Sequence, residues 1–375
     1  MKKNNLYIGI LTGTSMDSID CGIFNFNNNA CKMISFYENN YPEDLRNKIK
    51  ENYESLKKNH KNNSLNKEIA VIYSNIINNI ILKEKINKND ISAIGMHGQT
   101  ISHGKYNNKK FSIQLGCPRT LSSMTNIKVV SEFRQNDISN GGEGAPLAPL
   151  FHEYAFKSGN KRAVVNIGGI SNISFLSNHN NNLFGFDSGP GNILIDSWVK
   201  KKYNLNYDVD GKLSGAHKCS EELLRIFMDD KYFKINSPKS TSTEYFNQEW
   251  ILSKIKLVNS NLSNGDILAT LTKLTAVSII NGIKNYWQEC DEIYISGGGA
   301  FNNTIISQIK YESNKIFSNK IVIDTTDRIG FPPKTVETGL FAWLAMSRIN
   351  HQLLDYSSIT GSKKPIILGE IYFST

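Results

Sequence analysis

The chain has 375 residues, of which 39% are hydrophobic and 21% are charged, and its formal net charge at pH 7 is +9. This length exceeds one ordinary hydrophobic core, so we expect two domains. The lysines are scattered among asparagines without a basic helix face, which argues against a nucleic-acid partner. The five cysteines form no C-x-x-C pair, so a reducing cytoplasm fits better than a disulfide framework or a zinc site. No stretch has the roughly twenty apolar residues of a membrane span.

The first predicted elements form a hairpin. Residues 6–11 and 21–26 predict strands, and the segment between them carries several hydroxyls around Gly13. Backbone N–H groups freed by a glycine turn can hold phosphate oxygens without the lysine of a Walker loop. An ordinary hairpin turn uses the same residues, so this segment alone leaves both interpretations open.

A helix and a strand with polar residues at its end follow the hairpin. Apolar residues at helical spacing between Ile69 and Ile80 predict a helix packed on the first sheet. Residues 91–96 predict a strand that delivers His97 and Gln99 at its carboxyl end. A histidine in this place is more often structural than catalytic, but Gln99 adds donors suited to sugar hydroxyls. We therefore predict that both residues position a substrate.

The domain change is predicted near a glycine-rich passage at residues 141–147. Just before it lies Arg134, whose planar donor fork grips carboxylate or phosphate. We expect a first domain of residues 1–131, to which residues 347–375 return, and a second domain of residues 132–346.

The second half of the chain repeats the opening pattern and presents one acid. Residues 162–175 predict strand, glycine turn and strand around Gly168 and Gly169, which suggests a duplicated fold, although the similarity is slight. Farther on, Asp187 follows the apolar end of a strand and precedes a glycine turn and a helix that Asn192 can cap. Asp187 is a catalytic candidate, and the alternative is an aspartate that caps its own turn.

A further segment is a candidate for ligand binding. The strand at residues 292–296 runs into three glycines, Gly297, Gly298 and Gly299, which leave room for a flat adenine or ribose. A tight structural turn is an equal alternative for this sequence. Near the end of the chain, Glu337 lies in the first turn of a predicted helix.

Seven passages together resemble the anhydro-N-acetylmuramic acid kinase family. They are residues 13–17, 95–100, 133–149, 166–172, 186–192, 297–302 and 337–345, in the order and spacing of that family and over nearly the whole chain. The resemblance implies an α/β, two-domain actin/hexokinase-like (ribonuclease H-like) fold with a nucleotide and sugar cleft between the domains. It also implies that ATP and water convert the anhydro sugar of recycled cell wall to N-acetylmuramic acid 6-phosphate.

The resemblance implies roles for individual residues. Asp187 matches the general base. Five residues match the substrate side, namely His97, Gln99, Arg134, Asn172 and Glu337. The positions that match nucleotide binding are Gly13, Thr14, Ser15, Met16, Asp17, Ser18, Ile19, Asp20, Gly168, Gly169, Gly297, Gly298 and Gly299. Magnesium is expected to arrive with ATP, and the sequence does not identify its protein ligands, since Asp17, Asp20 and Asp187 are all plausible through water. A homodimer is expected from the family.

Four positions depart from the family pattern. Cys117 stands where an acidic residue is usual, Glu143 replaces a Gln, Glu132 an Asp and Thr12 a Ser. The first two put substrate affinity in doubt more than the reaction class. Two other functions stay open: another small-sugar kinase of the same fold, and a non-enzymatic nucleotide switch.

Overall fold

The chain divides into two compact units. The computed structural model describes residues 5–13, 16–27, 30–59, 64–106, 109–176, 183–237 and 239–373. Unit 1 comprises Met1–Ala155 and Thr335–Thr375, and unit 2 comprises Phe156–Lys334.

Unit 1 is built on a seven-stranded mixed sheet. Its strands are β1 (Leu6–Thr12), β2 (Ser18–Asn27), β3 (Ala30–Asn40), β4 (Ile91–Tyr106), β5 (Lys109–Leu115), β6 (Val129–Ser131) and, close to the end of the chain, β12 (Glu370–Tyr372). The order across the sheet is β12-β6-β4-β1-β2-β3, and β5 pairs with the extension of β4. Strands β1, β4 and β6 are parallel, and β1, β2 and β3 form an antiparallel meander.

Unit 1 has seven described α-helices, and the first four lie in the connections between its parallel strands. The seven helices are α1 (Glu43–Glu51), α2 (Tyr53–Asn59), α3 (Ser64–Lys83), α4 (Pro118–Thr125), α5 (Phe133–Ser139), α6 (Ala148–Phe156) and α13 (Val336–Ile349). Parallel strands need such crossover connections because a hairpin turn cannot join them. The core of the unit lies between the sheet and α3, with Ile8, Ile10, Tyr73 and Ile77 fully buried.

Unit 2 has a five-stranded sheet. Its strands are β7 (Arg162–Ile167), β8 (Ile170–Leu176), β9 (Phe184–Pro190), β10 (Glu292–Ser296) and β11 (Val322–Thr325), in the order β11-β10-β7-β8-β9. Strands β7, β10 and β11 are parallel, whereas β8 is antiparallel to both β7 and β9.

The helices of unit 2 are α7 (Ile193–Tyr203), α8 (Lys212–Gly215), α9 (Glu221–Met228), α10 (Gln248–Ile255), α11 (Asn264–Tyr286) and α12 (Asn303–Ile316). Helix α11 begins at a capping box in which Ser263 and Asp266 satisfy each other's backbone N–H groups. It is the one described helix long and apolar enough to cross a bilayer, and 78% of its most apolar window is buried inside the protein, as in a core helix. Its apolar side packs on β8 and β9, where Ile173, Phe186 and Leu274 are buried.

The duplicated fold predicted from the two glycine hairpins is confirmed. In each unit an antiparallel three-stranded meander lies on one side of the sheet, and its first strand pairs in parallel with strands that come later in the chain. This order is β3-β2-β1-β4-β6 in unit 1 and β9-β8-β7-β10-β11 in unit 2. The two units therefore share one topology.

The observed boundaries differ from the predicted domains. Helices α5, α6 and α13 lie in unit 1, whereas the prediction placed them mainly in the second domain. The reason for α13 is a close contact with the first sheet. A Cβ atom at Gly9 would lie 1.8 Å from the main-chain oxygen of Thr338, and one at Gly95 would lie 1.9 Å from that of Phe341. Only glycines allow the helix backbone so near the strands.

Candidate active site

Asp187 lies inside a strand, not in the turn where the sequence pattern places it. It occupies the middle of β9 and pairs with Asn172 of β8. The next pair in the register is Ser171 with Gly189, so Ser188 is an extra residue in its strand. Such a bulge changes the direction of side chains and is frequent beside active sites. The predicted helix after the strand is confirmed as α7.

Asp187 is buried, and three of its atoms are hydrogen-bonded to Tyr232, Lys239 and Thr241. The sequence patterns predict no role for these three residues. Asp187 is 7% exposed. The backbone N–H of Thr241 donates to its Oδ2 at 3.0 Å, and the hydroxyl of Tyr232 donates to its main-chain oxygen at 2.6 Å. Its own N–H donates to the main-chain oxygen of Lys239 at 3.2 Å. An N–H bond to a carboxylate oxygen favours the ionised form, which is the form that can accept a proton.

A row of polar side chains crosses the second sheet and ends at Asp187. Strand register pairs Ser296 with Asn166, Asn166 with Asn172, and Asn172 with Asp187. Side chains in register share one face of a sheet and stand about 5 Å apart at Cβ. The opposite face is the core, formed by the residues adjacent in sequence, which are Ile295, Val165, Ile173 and Phe186.

Asn172 carries a buried acceptor without a hydrogen bond. Its Oδ1 has no partner in the structure. Because an unsatisfied buried oxygen costs about 1–3 kcal/mol, such an atom calls for an explanation. Beside the carboxylate of Asp187, a water molecule or a ligand hydroxyl could donate to it.

The second glycine hairpin is tied to the start of α7. The N–H groups of Asn192 and Gly191 donate to the main-chain oxygens of Gly168 and Gly169 at 2.8 and 2.9 Å. A Cβ atom at Gly191 would lie 2.3 Å from the oxygen of Gly168, so a larger residue would separate hairpin and helix. Asn192 does not cap α7 with its side chain, which instead donates to the main-chain oxygen of Ile167.

The three-glycine loop leaves β10 beside the same hairpin. Gly297 has a φ of +78°, and a Cβ atom there would lie 2.4 Å from the Oδ1 of Asn166. Gly299 packs against Ile167, which likewise leaves no room for a side chain at position 299. Gly298 is exposed, and a Cβ atom at this position would meet nothing closer than 3.6 Å. Gly297 and Gly299 are thus required by the turn, and Gly298 is the glycine with space for a ligand.

The first glycine hairpin lies between β1 and β2 of unit 1. Gly13 accepts hydrogen bonds from the N–H of Met16 at 3.1 Å and from Nε2 of Gln99 at 3.4 Å. Gln99 is fully buried, and its Oε1 has no hydrogen-bond partner within the described part of the chain. Thr14 and Ser15, both predicted to bind nucleotide, lie outside the described residues. Gln99, a residue of the predicted substrate side, therefore contacts the hairpin that is predicted to bind nucleotide.

The remaining nucleotide candidates lie on β2 and just before it. Asp17 is exposed, Ser18 and Asp20 are half-buried, and Ile19 is in the core. The hydroxyl of Ser18 donates to a carboxylate oxygen of Asp20 at 2.9 Å. No group of three His, Cys, Asp or Glu side chains suited to a metal occurs in the described part of the chain. Magnesium bound with a nucleotide needs only one or two carboxylates beside phosphates and water, which Asp17 and Asp20 can supply.

His97 and Arg134, both on the predicted substrate side, are hydrogen-bonded to each other. His97 lies within β4, which continues to Tyr106, and not at the strand's end. The strand continues because a register shift against β1 and the φ of +82° at Gly98 turn it toward its second partner, β5. The Nε of Arg134 donates to Nε2 of His97 at 2.9 Å, and Nδ1 of His97 lies 3.1 Å from the oxygen of Gly98.

Two departures from the family pattern are accommodated locally. Glu143 forms ion pairs with Lys110 at 2.8 Å and Lys105 at 3.3 Å. Burial opposes ionisation of Glu143, but these two lysines outweigh it and lower the pKa of its carboxyl. Cys117 precedes α4 and donates its N–H to the main-chain oxygen of Asn66 at 2.9 Å.

Glu337 lies in the first turn of α13, as predicted, and it is exposed.

The candidate residues are divided between the units. Unit 1 contains Gly13, Gln99, His97, Arg134 and Glu337, and unit 2 contains Asp187, Asn172 and both later glycine segments. The repeated strand order with a glycine hairpin in each unit defines an α/β protein of the actin/hexokinase-like class. The fold class predicted from the resemblance is therefore confirmed.

Comparison with known proteins identifies the family. The family model described as "Anhydro-N-acetylmuramic acid kinase" matches residues 5–374. A protein of that name from Saccharophagus degradans is 35% identical over 381 residues, covering 99% of each chain. Another from Shewanella pealeana is 36% identical over 377 residues, covering 98% of this chain and 99% of its own. This chain belongs to the anhydro-N-acetylmuramic acid kinase family, and the predicted enzyme class, a phosphotransferase, is confirmed.

The chain is also similar to a solved structure, at lower sequence identity. A ROK family glucokinase from Streptomyces griseus, in complex with glucose and AMPPNP, has 10% identity and a TM-score of 0.40, covering 90% of this chain and 98% of its own.

Proposed function

We propose that this protein is an ATP-dependent kinase that opens 1,6-anhydro-N-acetylmuramic acid with water and phosphorylates it to N-acetylmuramic acid 6-phosphate in murein recycling. Membership of the family supports this proposal. The observation that carries it is the setting of Asp187, a buried carboxylate that accepts an N–H bond beside the unsatisfied oxygen of Asn172. A base and a second acceptor side by side suit the capture of one water molecule.

In the proposed reaction the Asp187 carboxylate takes a proton from water while the water oxygen bonds to the anomeric carbon. The bond from that carbon to the oxygen at position 6 breaks, and this oxygen attacks the γ-phosphorus of ATP. ADP leaves as the phosphorus–oxygen bond to it breaks. Water, sugar and ATP thus give the sugar phosphate and ADP, with the proton first on Asp187. Such a step needs a positioned base and donors for the phosphoryl charge.

The other candidate residues take supporting roles in this proposal. The hairpins at Gly13 and at Gly168 and Gly169 hold phosphates through backbone N–H groups. Gly298 lies against the adenosine. Arg134, oriented by His97, binds an anionic or hydroxyl group of the sugar, and Gln99, Asn172 and Glu337 bind its other polar groups. Magnesium, when bound, neutralises phosphate charge, and Asp17 and Asp20 would hold it through water.

The test is the fate of oxygen from isotopically labelled water. Mass spectrometry of the products from the anhydro sugar and ATP should find the label at the anomeric carbon and none in the transferred phosphate. A matched sample with Asp187→Asn should form little product. Labelled inorganic phosphate without sugar phosphate would contradict the proposal and favour a nucleotide switch. Phosphorylation of other small sugars in preference to the anhydro sugar would favour a different sugar kinase.

The resemblance also supports a cytoplasmic homodimer as the form in which the enzyme acts. Sedimentation at several protein concentrations tests the dimer, because a monomer at every concentration would contradict it.

A further inference from the structure

The ammonium group of Lys239 lies in the segment that holds Asp187. Its Nζ donates to the main-chain oxygen of Tyr232 at 3.2 Å and stands 4.6 Å from the centre of the Tyr232 ring. It also lies 5.9 Å from the ring centre of Phe186, the residue before Asp187. Tyr232 and Lys239 both bond to the main chain of Asp187. A half-buried positive charge is therefore carried by a residue whose main chain is hydrogen-bonded to the candidate base.

We propose that Lys239 is a positioning residue that keeps the buried carboxylate of Asp187 ionised, so that Asp187 remains a base as the pH falls. The inference rests on the proposed function, since it concerns the same base. Burial alone disfavours a charged carboxylate, and a nearby positive charge favours it. Lys239 thus offsets the cost of placing the base away from water.

The pKa of Lys239 reflects its electrostatic interaction with Asp187. Burial lowers the pKa of the Lys239 amino group, and the charge of Asp187 acts in the opposite direction. Charge interactions are reciprocal, so the ammonium stabilises the carboxylate by the same coupling. The lysine is fixed by Tyr232, and its effect does not depend on a direct ion pair.

The other described ionisable groups near Asp187 stay neutral or are bonded to groups other than its carboxylate. Tyr232 is the nearest, and burial followed by the charge of Asp187 raises its pKa, so it stays a neutral donor. Tyr245 and Asp230 lie beyond Tyr232 as seen from Asp187, and the Tyr245 hydroxyl donates to Asp230. On α11, behind β9, Lys273 bonds to Glu221 and Lys284 to the main-chain oxygen of Gln288. Among these described groups, Lys239 is the cation on which the charge of Asp187 acts.

The test is the dependence of kcat/KM on pH for the anhydro sugar. Lys239→Met should move the acid limb of the profile upward by about one pH unit, because the ionised base has lost its neighbouring charge. Lys239→Arg, which keeps the charge, should leave the limb where the wild type has it. Lys234→Met is the matched control, because Lys234 is exposed and pairs with Asp229.

Lys239→Gln serves as a second neutral variant if Lys239→Met does not fold. An acid limb at the wild-type pH in a neutral variant, with kcat/KM reduced equally at every pH, would show that Lys239 only holds the segment and would overturn the inference. A wild-type protein that forms no sugar phosphate would instead contradict the proposed function itself. The two failures are therefore distinguishable.

Discussion

The Nε of Arg134 donates to Nε2 of His97 at 2.9 Å, which requires that this ring nitrogen carries no proton. Nδ1 then carries the proton and donates to the oxygen of Gly98 at 3.1 Å. Burial, followed by the charge of Arg134, lowers the pKa of His97 well below 6.5. His97 is thus a neutral residue that orients Arg134, and its predicted role on the substrate side is most readily exerted through that arginine.

Stability is expected to fall with acid because three histidines, the buried His152 and the half-buried His97 and His103, are held in neutral form. Burial and Arg134 lower the pKa of His103 to about 4, and burial lowers that of His152 to about 3. Like His97, they bind protons in the unfolded chain below about pH 6.5 while staying neutral in the folded one, so stability is lost as the pH falls from 6.5 toward 5. The slope is about 1.4 kcal/mol per pH unit for each proton. Urea unfolding at several pH values measures it.

Stability that is constant between pH 6.5 and 5 would contradict the neutral state of these three histidines.

Asp187→Asn is expected to lower turnover by roughly 10² to 10⁴, because the amide cannot accept the proton from water. Nucleotide binding should be largely preserved, since the change is isosteric. Steady-state kinetics and calorimetric titration with an ATP analogue measure the two effects. Near-normal turnover in a folded variant would refute the role of Asp187 as the base.

Asn172→Ala should lower turnover roughly three- to tenfold, which is the loss of one hydrogen bond of about 0.5–1.5 kcal/mol. The melting temperature of the variant should stay near the wild-type value, because the Oδ1 of Asn172 has no hydrogen-bond partner among the described residues. Asn172→Gln, which retains a displaced amide, is the comparison. Full activity of the alanine variant would mean that the oxygen holds neither water nor substrate.

Gly298→Ala distinguishes an adenosine loop from a structural turn. A methyl group at this position meets no protein atom within 3.6 Å, so the melting temperature should stay near the wild-type value. If adenosine lies on this glycine, the methyl group should weaken ATP binding. Gly159→Ala is the control, since a Cβ atom there has nothing within 4 Å. Unchanged ATP affinity in Gly298→Ala would favour the turn.

Glu143→Gln should leave turnover within about twofold and reduce stability by less than about 1 kcal/mol, as for partly exposed ion pairs. The reason is that Glu143 is paired with Lys105 and Lys110, so its charge is already compensated. Kinetics and thermal melting at low and high salt test this. A large decrease of KM for the sugar in the variant would instead show that the Glu143 charge repels substrate.

Patterns confined to short stretches of sequence were sufficient to predict the elements that carry the site. The hairpin around Gly168 and Gly169, the helix after Asn192 and the strand at residues 292–296 all have the predicted type. Each depends on residues within a few positions of one another, such as a glycine turn or apolar residues at helical spacing. Strand β3, by contrast, was not predicted, because it is an edge strand with few fully buried side chains.

The sequence by itself determined the family, the duplicated α/β class and the candidate base, because those depend on motifs and their order. Only the tertiary structure decided which groups surround that base. Thr241 bonds to Asp187 across 54 residues, and Arg134 bonds to His97 across 37. It also decided that α13 belongs to unit 1, through the room left by Gly9 and Gly95. Contacts between distant segments depend on how whole elements pack, and no local pattern encodes that packing.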